Sequence, residues 1–136
     1  MADFSRLTPG HQGKAELMVG PEHTAEQVGS GKIAVLATPV MINVIEAAAL
    51  AAAEPLLPPG YQSLGIHLDV SHTAATPVGN RIEAIAEIIA VEGRTVTLKV
   101  TVRDPFELIG GGTHKRVIVN VARFDQRLQT KLPRAT

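Results

Sequence analysis

The chain has 136 residues, enough for one domain with a sizeable core. Its 13 Lys and Arg balance 13 Asp and Glu, so no net field draws it to nucleic acid or to an anionic membrane surface. Three Phe, one Tyr and no Trp leave no stacking platform for single-stranded nucleic acid, and the absence of cysteine excludes disulfides, thiolate nucleophiles and Cys-ligated zinc.

Met1-Ala2-Asp3-Phe4 has neither a basic nor an apolar leader character, so a cytoplasmic protein is expected. Residues 1–13, with Pro9, Gly10 and Gly13, read as a loose lead-in. Ala15 to Val19 is a short strand stopped by Gly20-Pro21, and 22–31 is a polar loop or short helix. A helix is predicted from Thr38-Pro39 to about Ala53, with Thr38 as N-cap and Pro39 at the first helical position. Pro55, Pro58 and Pro59-Gly60 end it. It lies in the apolar run 33–53, whose single charge is Glu46. A run of ~20 apolar residues can span a membrane. Pro39, Asn43, Glu46 and the preference for Ala over Leu and Ile point instead to a helix packed inside a soluble domain, with Glu46 as a buried carboxylate in need of a partner.

Ser63–Thr76 reads as one long strand. Leu64, Ile66, Leu68, Val70, His72 and Ala74 fall on one face, and His67, Asp69, Ser71 and Thr73 on the other. His72 therefore stands where the pattern asks for an apolar residue, as a core histidine or as a site histidine. After the turn Pro77-Val78-Gly79-Asn80 come strands Arg81–Val91 and Thr95–Arg103, joined by Glu92-Gly93. A last strand, Leu108–Phe124, is bent at Gly110-Gly111-Gly112 and carries His114 and Arg116 on one face, Lys115 on the other. The charged tail from Asp125 is a short helix or disordered.

One strand, one long helix and a meander of four strands imply an α+β single domain, an antiparallel sheet wrapped around a buried helix in the outline of a hot-dog fold. The free edges of such a sheet predict a homodimer.

Thr38, Glu46 and His72 are the polar groups that local pattern directs to the helix–sheet interface. A hydroxyl, a carboxylate and an imidazole are the groups of hydrolytic acyl transfer. Thr38 and Glu46 lie eight residues apart, roughly 12 Å along a straight helix, so a direct contact needs Thr38 outside the helix or His72 as a bridge. The triple glycine lacks the Lys-Ser/Thr of a P-loop, and the five histidines have no metal-ligand spacing.

Ser63-Leu64-Gly65, Ser71-His72-Thr73-Ala74-Ala75-Thr76-Pro77, Val91-Glu92-Gly93-Arg94, and Ile109-Gly110 with Gly112-Thr113-His114 and Arg116 together resemble the fluoroacetyl-CoA thioesterase family over residues 15–130. The resemblance implies a dimeric hot-dog thioesterase acting on an acyl-CoA, with no cofactor beyond the coenzyme A of its substrate. It places catalysis on Thr38, Glu46 and His72, with Gly65 near the thioester and Arg116 in the site. That family carries phenylalanines in a lid just before the catalytic threonine. Residues 22–37 here hold no aromatic, so a broader or different short-chain acyl-CoA is expected. Two alternatives follow from the same fold: a non-catalytic acyl-CoA or acyl-carrier binding module, and an enoyl-CoA hydratase using an Asp/His pair.

Overall fold

The computed structural model describes residues 2–133. Its elements are β1 (Gln12–Met18), α1 (Ala25–Val28), α2 (Thr38–Ala53), β2 (Tyr61–His72), β3 (Arg81–Glu92), β4 (Thr95–Arg103), β5 (Leu108–Asn120) and α3 (Val121–Gln129). The five strands form one antiparallel sheet in the order β1-β3-β4-β5-β2. α2 lies across its concave face, against β1, β3 and β4. This is the hot-dog fold.

The core follows from alternation. Ile82, Ala84, Ala86 and Ile88 of β3, and Val96, Leu98, Val100 and Val102 of β4, are all essentially sealed from solvent. They meet Met41, Ile45, Ala48, Ala49, Ala52 and Ala53 of α2. The alanines let α2 approach the sheet closely. A Cβ on Gly13 of β1 would run into the backbone of Ala48 and Ala52. Thr38–Leu56 is long and apolar enough to cross a membrane by composition, but its apolar face is spent on this sheet. Within the lead-in, Leu7 joins the core and the Phe4 ring stands edge-on to Tyr61 at 5.2 Å.

Three expectations need correcting. α2 is not enclosed on most sides, because Asn43, Ala47, Leu50 and Ala51 leave one flank open. The last strand ends at Asn120 rather than Phe124. The Asn120 side chain accepts from the Arg123 backbone N–H and caps α3.

The third correction concerns β2. Its register against β5 shifts between Gly65 and His67, leaving Ile66 as a bulged residue without a partner. Facing residues of an antiparallel pair share a side of the sheet. Ser63 and Gly65, opposite Ile118 and Arg116, thus turn toward the helix before the bulge. Leu68, Val70 and His72, opposite His114, Gly112 and Gly110, do so after it. Leu64 is on the outer side, not with His72, because one inserted residue exchanges the two faces. β2 is also an edge strand, and along it Leu64, Ile66 and Leu68 are 41%, 54% and 38% exposed.

Candidate active site

The first group of candidate side chains gathers where α2 begins. Ala37, not Thr38, occupies the N-cap, and Pro39 stands second in the helix. Released from capping, the Thr38 hydroxyl lies 2.7 Å from His72 Nδ1. The segment after β2 fixes this meeting. Leu36 N–H donates to the Thr76 carbonyl at 2.9 Å, and Thr73 N–H donates to the Ile109 carbonyl at 2.7 Å. The buried Thr76 hydroxyl donates to Asp104 at 2.8 Å. Asp104 in turn accepts from the Phe106 and Glu107 N–H groups. Gly110, opposite His72, keeps the wall low, since a Cβ there would press on the Ser71 carbonyl at 2.6 Å and Met41 Sδ at 2.8 Å.

Among the described residues, His72 Nε2 is a buried atom without a hydrogen-bond partner. Burial pushes the His72 pKa below its ordinary value, against a smaller opposing contact with the Ala74 backbone. The ring is therefore neutral near neutral pH and able to exchange a proton. Beside it opens a cavity of about 360 Å³ whose lining includes Lys32, Ile33, Leu36, Thr38 and Ala74. At the start of α2, Pro39 has no N–H and Val40 N–H turns back to the Ala37 carbonyl at 3.1 Å, which leaves Thr38 N–H as the free donor of the first turn.

The second group lies two turns further along α2. Glu46 is 40% exposed, not sealed in the core, and its carboxylate is 3.6 Å from Arg116 Nη1. The Arg116 side chain is only 5% exposed. It is held on every side: Nε donates to Ser63 Oγ at 2.8 Å, Nη2 to the Ser63 carbonyl at 3.0 Å, and Nη1 to His114 Nε2 at 3.1 Å. Ser63 donates its own N–H and hydroxyl to Glu54. Because Arg116 occupies His114 Nε2, the His114 proton sits on Nδ1 and is donated to the His67 carbonyl at 2.8 Å. Burial first, and then the Arg116 charge, keep the His114 pKa low, against the His67 carbonyl and Glu46. Burial likewise lowers the Arg116 pKa, with Glu46 and Glu54 opposing. Gly65 completes the group. A Cβ there would come within 2.6 Å of Glu46 Oε2 and 3.0 Å of His114 Cε1.

One chain thus joins Thr38 to His72, and Glu46 to Arg116 and Gly65, and among the described residues no hydrogen bond or ion pair links the two groups. The spacing of Thr38 and Glu46 on α2 is the physical reason. His114, Ser63 and Glu54 belong to the second group, although the sequence pattern assigned none of the three a role in the site. Their convergence depends on the bulge at Ile66, which has no composition signal.

This chemistry and fold have known counterparts. Residues 19–122 match the family model described as fluoroacetyl-CoA-specific thioesterase. The chain belongs to this family. With it comes the reaction class, hydrolysis of a thioester. The fluoroacetyl-CoA thioesterase of Streptantibioticus cattleyicolor is 39% identical over 99 residues, 73% of this chain and 71% of that protein. A crystal structure of the fluoroacetyl-CoA thioesterase FlK superposes with a TM-score of 0.84 at 34% identity, over 93% of this chain and 98% of the other. A Thermus thermophilus member of the thioesterase superfamily gives a TM-score of 0.83 at 28% identity, over 91% and 94%. The family description and the curated relative both name fluoroacetyl-CoA, which runs against the broader substrate expected from the lid.

Proposed function

We propose that this chain hydrolyses short acyl-CoA thioesters, fluoroacetyl-CoA among them, in a homodimer whose sites each combine Thr38 and His72 of one chain with Glu46, Gly65 and Arg116 of the other. The observation that carries this reading is the separation of the two groups within one chain, together with the open edge of β2. Pairing β2 with a second copy about a two-fold axis between Leu68 and Asp69 would cover Leu64, Ile66 and Leu68. It would also set His72 of one chain opposite Gly65 of the other, because an antiparallel two-fold exchanges strand ends. A cytoplasmic setting is in keeping with a chain that uses no cysteine.

In this site the water oxygen adds to the thioester carbonyl carbon as Glu46 takes its proton. The Thr38 N–H supports the oxyanion, and the C–S bond then breaks. The proton passes to the departing sulfur, with His72 on the leaving side and Thr38 fixing its ring. A covalent route, in which Glu46 attacks and water opens the resulting anhydride, uses the same residues and gives the same acid and thiol. The hydratase alternative lacks support, since Asp69 pairs with Thr113 on the sheet's outer face while His72 faces inward.

The test is thiol release from fluoroacetyl-CoA and acetyl-CoA, followed with a thiol-reactive dye to which a cysteine-free protein adds no background. Glu46→Gln is expected to slow release by at least about 100-fold while leaving the protein folded. Near-normal release by that variant would overturn the assignment. A folded wild type that binds the thioester without releasing thiol would be a binding module.

A further inference from the structure

A second cavity, of about 490 Å³, opens beyond the end of β5. Arg94 from the β3–β4 turn, Val119 and Asn120 from β5, and Arg123, Phe124 and Arg127 from α3 line it. The frame is fixed: Ile118 N–H donates to the Arg94 carbonyl at 2.8 Å, and Asn120 caps α3 through Arg123 N–H at 3.1 Å. Arg123 and Arg127, four apart, share one face of α3. Among the described residues no carboxylate stands within 4.0 Å of any of these three guanidinium groups, in a chain with as many acids as bases.

Three exposed guanidinium groups line one cavity with no carboxylate beside them, which gives it a local positive potential that favours an anion. Their forks suit phosphate oxygens. The half-buried ring of Phe124, one of only four aromatics in the chain, offers a face for a flat base. Phosphates attached to an aromatic base are what a coenzyme A thioester carries at its far end. A chain of zero net charge has no general field to hold so anionic a substrate, so a local cluster must do it. Asn120 lies four residues along β5 from Arg116, roughly 13 Å, a span that an extended pantetheine arm covers. We infer that this cavity holds the phosphorylated adenosine end of the acyl-CoA substrate. The inference rests on the thioesterase reading above and adds to it the place where the nucleotide docks.

Calorimetric titration with adenosine 3′,5′-bisphosphate tests it, since that probe carries the nucleotide end and no thioester. Saturable binding is expected, weakened at least about tenfold in Arg123→Ala/Arg127→Ala and also in Arg94→Ala, which lies on a different element. In turnover, the preference for acyl-CoA over the matching acyl-pantetheine thioester should fall by a similar factor. Equal binding by wild type and variants, or equal competition by inorganic phosphate, would overturn the assignment. A wild type that binds the bisphosphate but cleaves no thioester would contradict the thioesterase reading alone. One that cleaves thioesters without binding the bisphosphate would contradict this inference alone.

Discussion

Gly65 is the residue at which position and chemistry are most tightly joined. The atoms that a Cβ would crowd are the Glu46 carboxylate and the His114 ring edge, not backbone. Gly65→Ala should therefore displace Glu46 rather than unfold the strand. Thiol release is expected to drop by about 10-fold or more, with a melting temperature within a few degrees of wild type. A variant of normal activity would mean that Glu46 needs no such clearance, and one that fails to fold would make Gly65 a packing residue. Glu46 and His72 were legible in the sequence because each breaks an apolar pattern. The Thr38 contact was not, because Thr38 also has the composition of a helix cap. Only the placement of Ala37 in that role frees its hydroxyl for His72.

At the level of elements, β2 and β5 are tied by side chains as well as by their ladder. The His114 ring links the His67 carbonyl to Arg116, and His72 links the far end of β2 to α2. Both imidazoles have pKa values below the ordinary 6.5 in the folded chain, chiefly through burial. The unfolded chain therefore binds more protons than the native one at mildly acidic pH, and stability rises with pH there. Denaturation midpoints should stay level above about pH 6.5 and fall as the pH is lowered beneath it, until the folded pKa values are passed. His114→Asn should flatten that fall. A midpoint unchanged or higher at pH 5.5 than at pH 7.5 would rule the effect out. Strand number, order in the chain and the long helix were all readable from period and punctuation. The bulge at Ile66 was not, because Leu64, Ile66 and Leu68 alternate as cleanly as an unbroken strand. Their exposure on an edge shows that these three residues, unlike Val70, add little to the core of their own chain.

For the whole molecule, α2 leaves one flank exposed, β2 is an edge strand with exposed apolar residues, and the polar groups of the site fall into two sets within one chain. The homodimer proposed above would bring a second copy against β2 and would account for an apolar run with one carboxylate in which Glu46 is 40% exposed in a single chain. The measurement that bears most directly on this account is thiol release from fluoroacetyl-CoA by mixed, refolded Glu46→Gln and His72→Ala chains. Each variant alone should be inactive. Together they should recover about a quarter of the wild-type rate, because half of the dimers then contain one intact site of their two. A mixture as inactive as its components, with mixed dimers confirmed, would place Glu46 and His72 in the same chain's site and contradict the account.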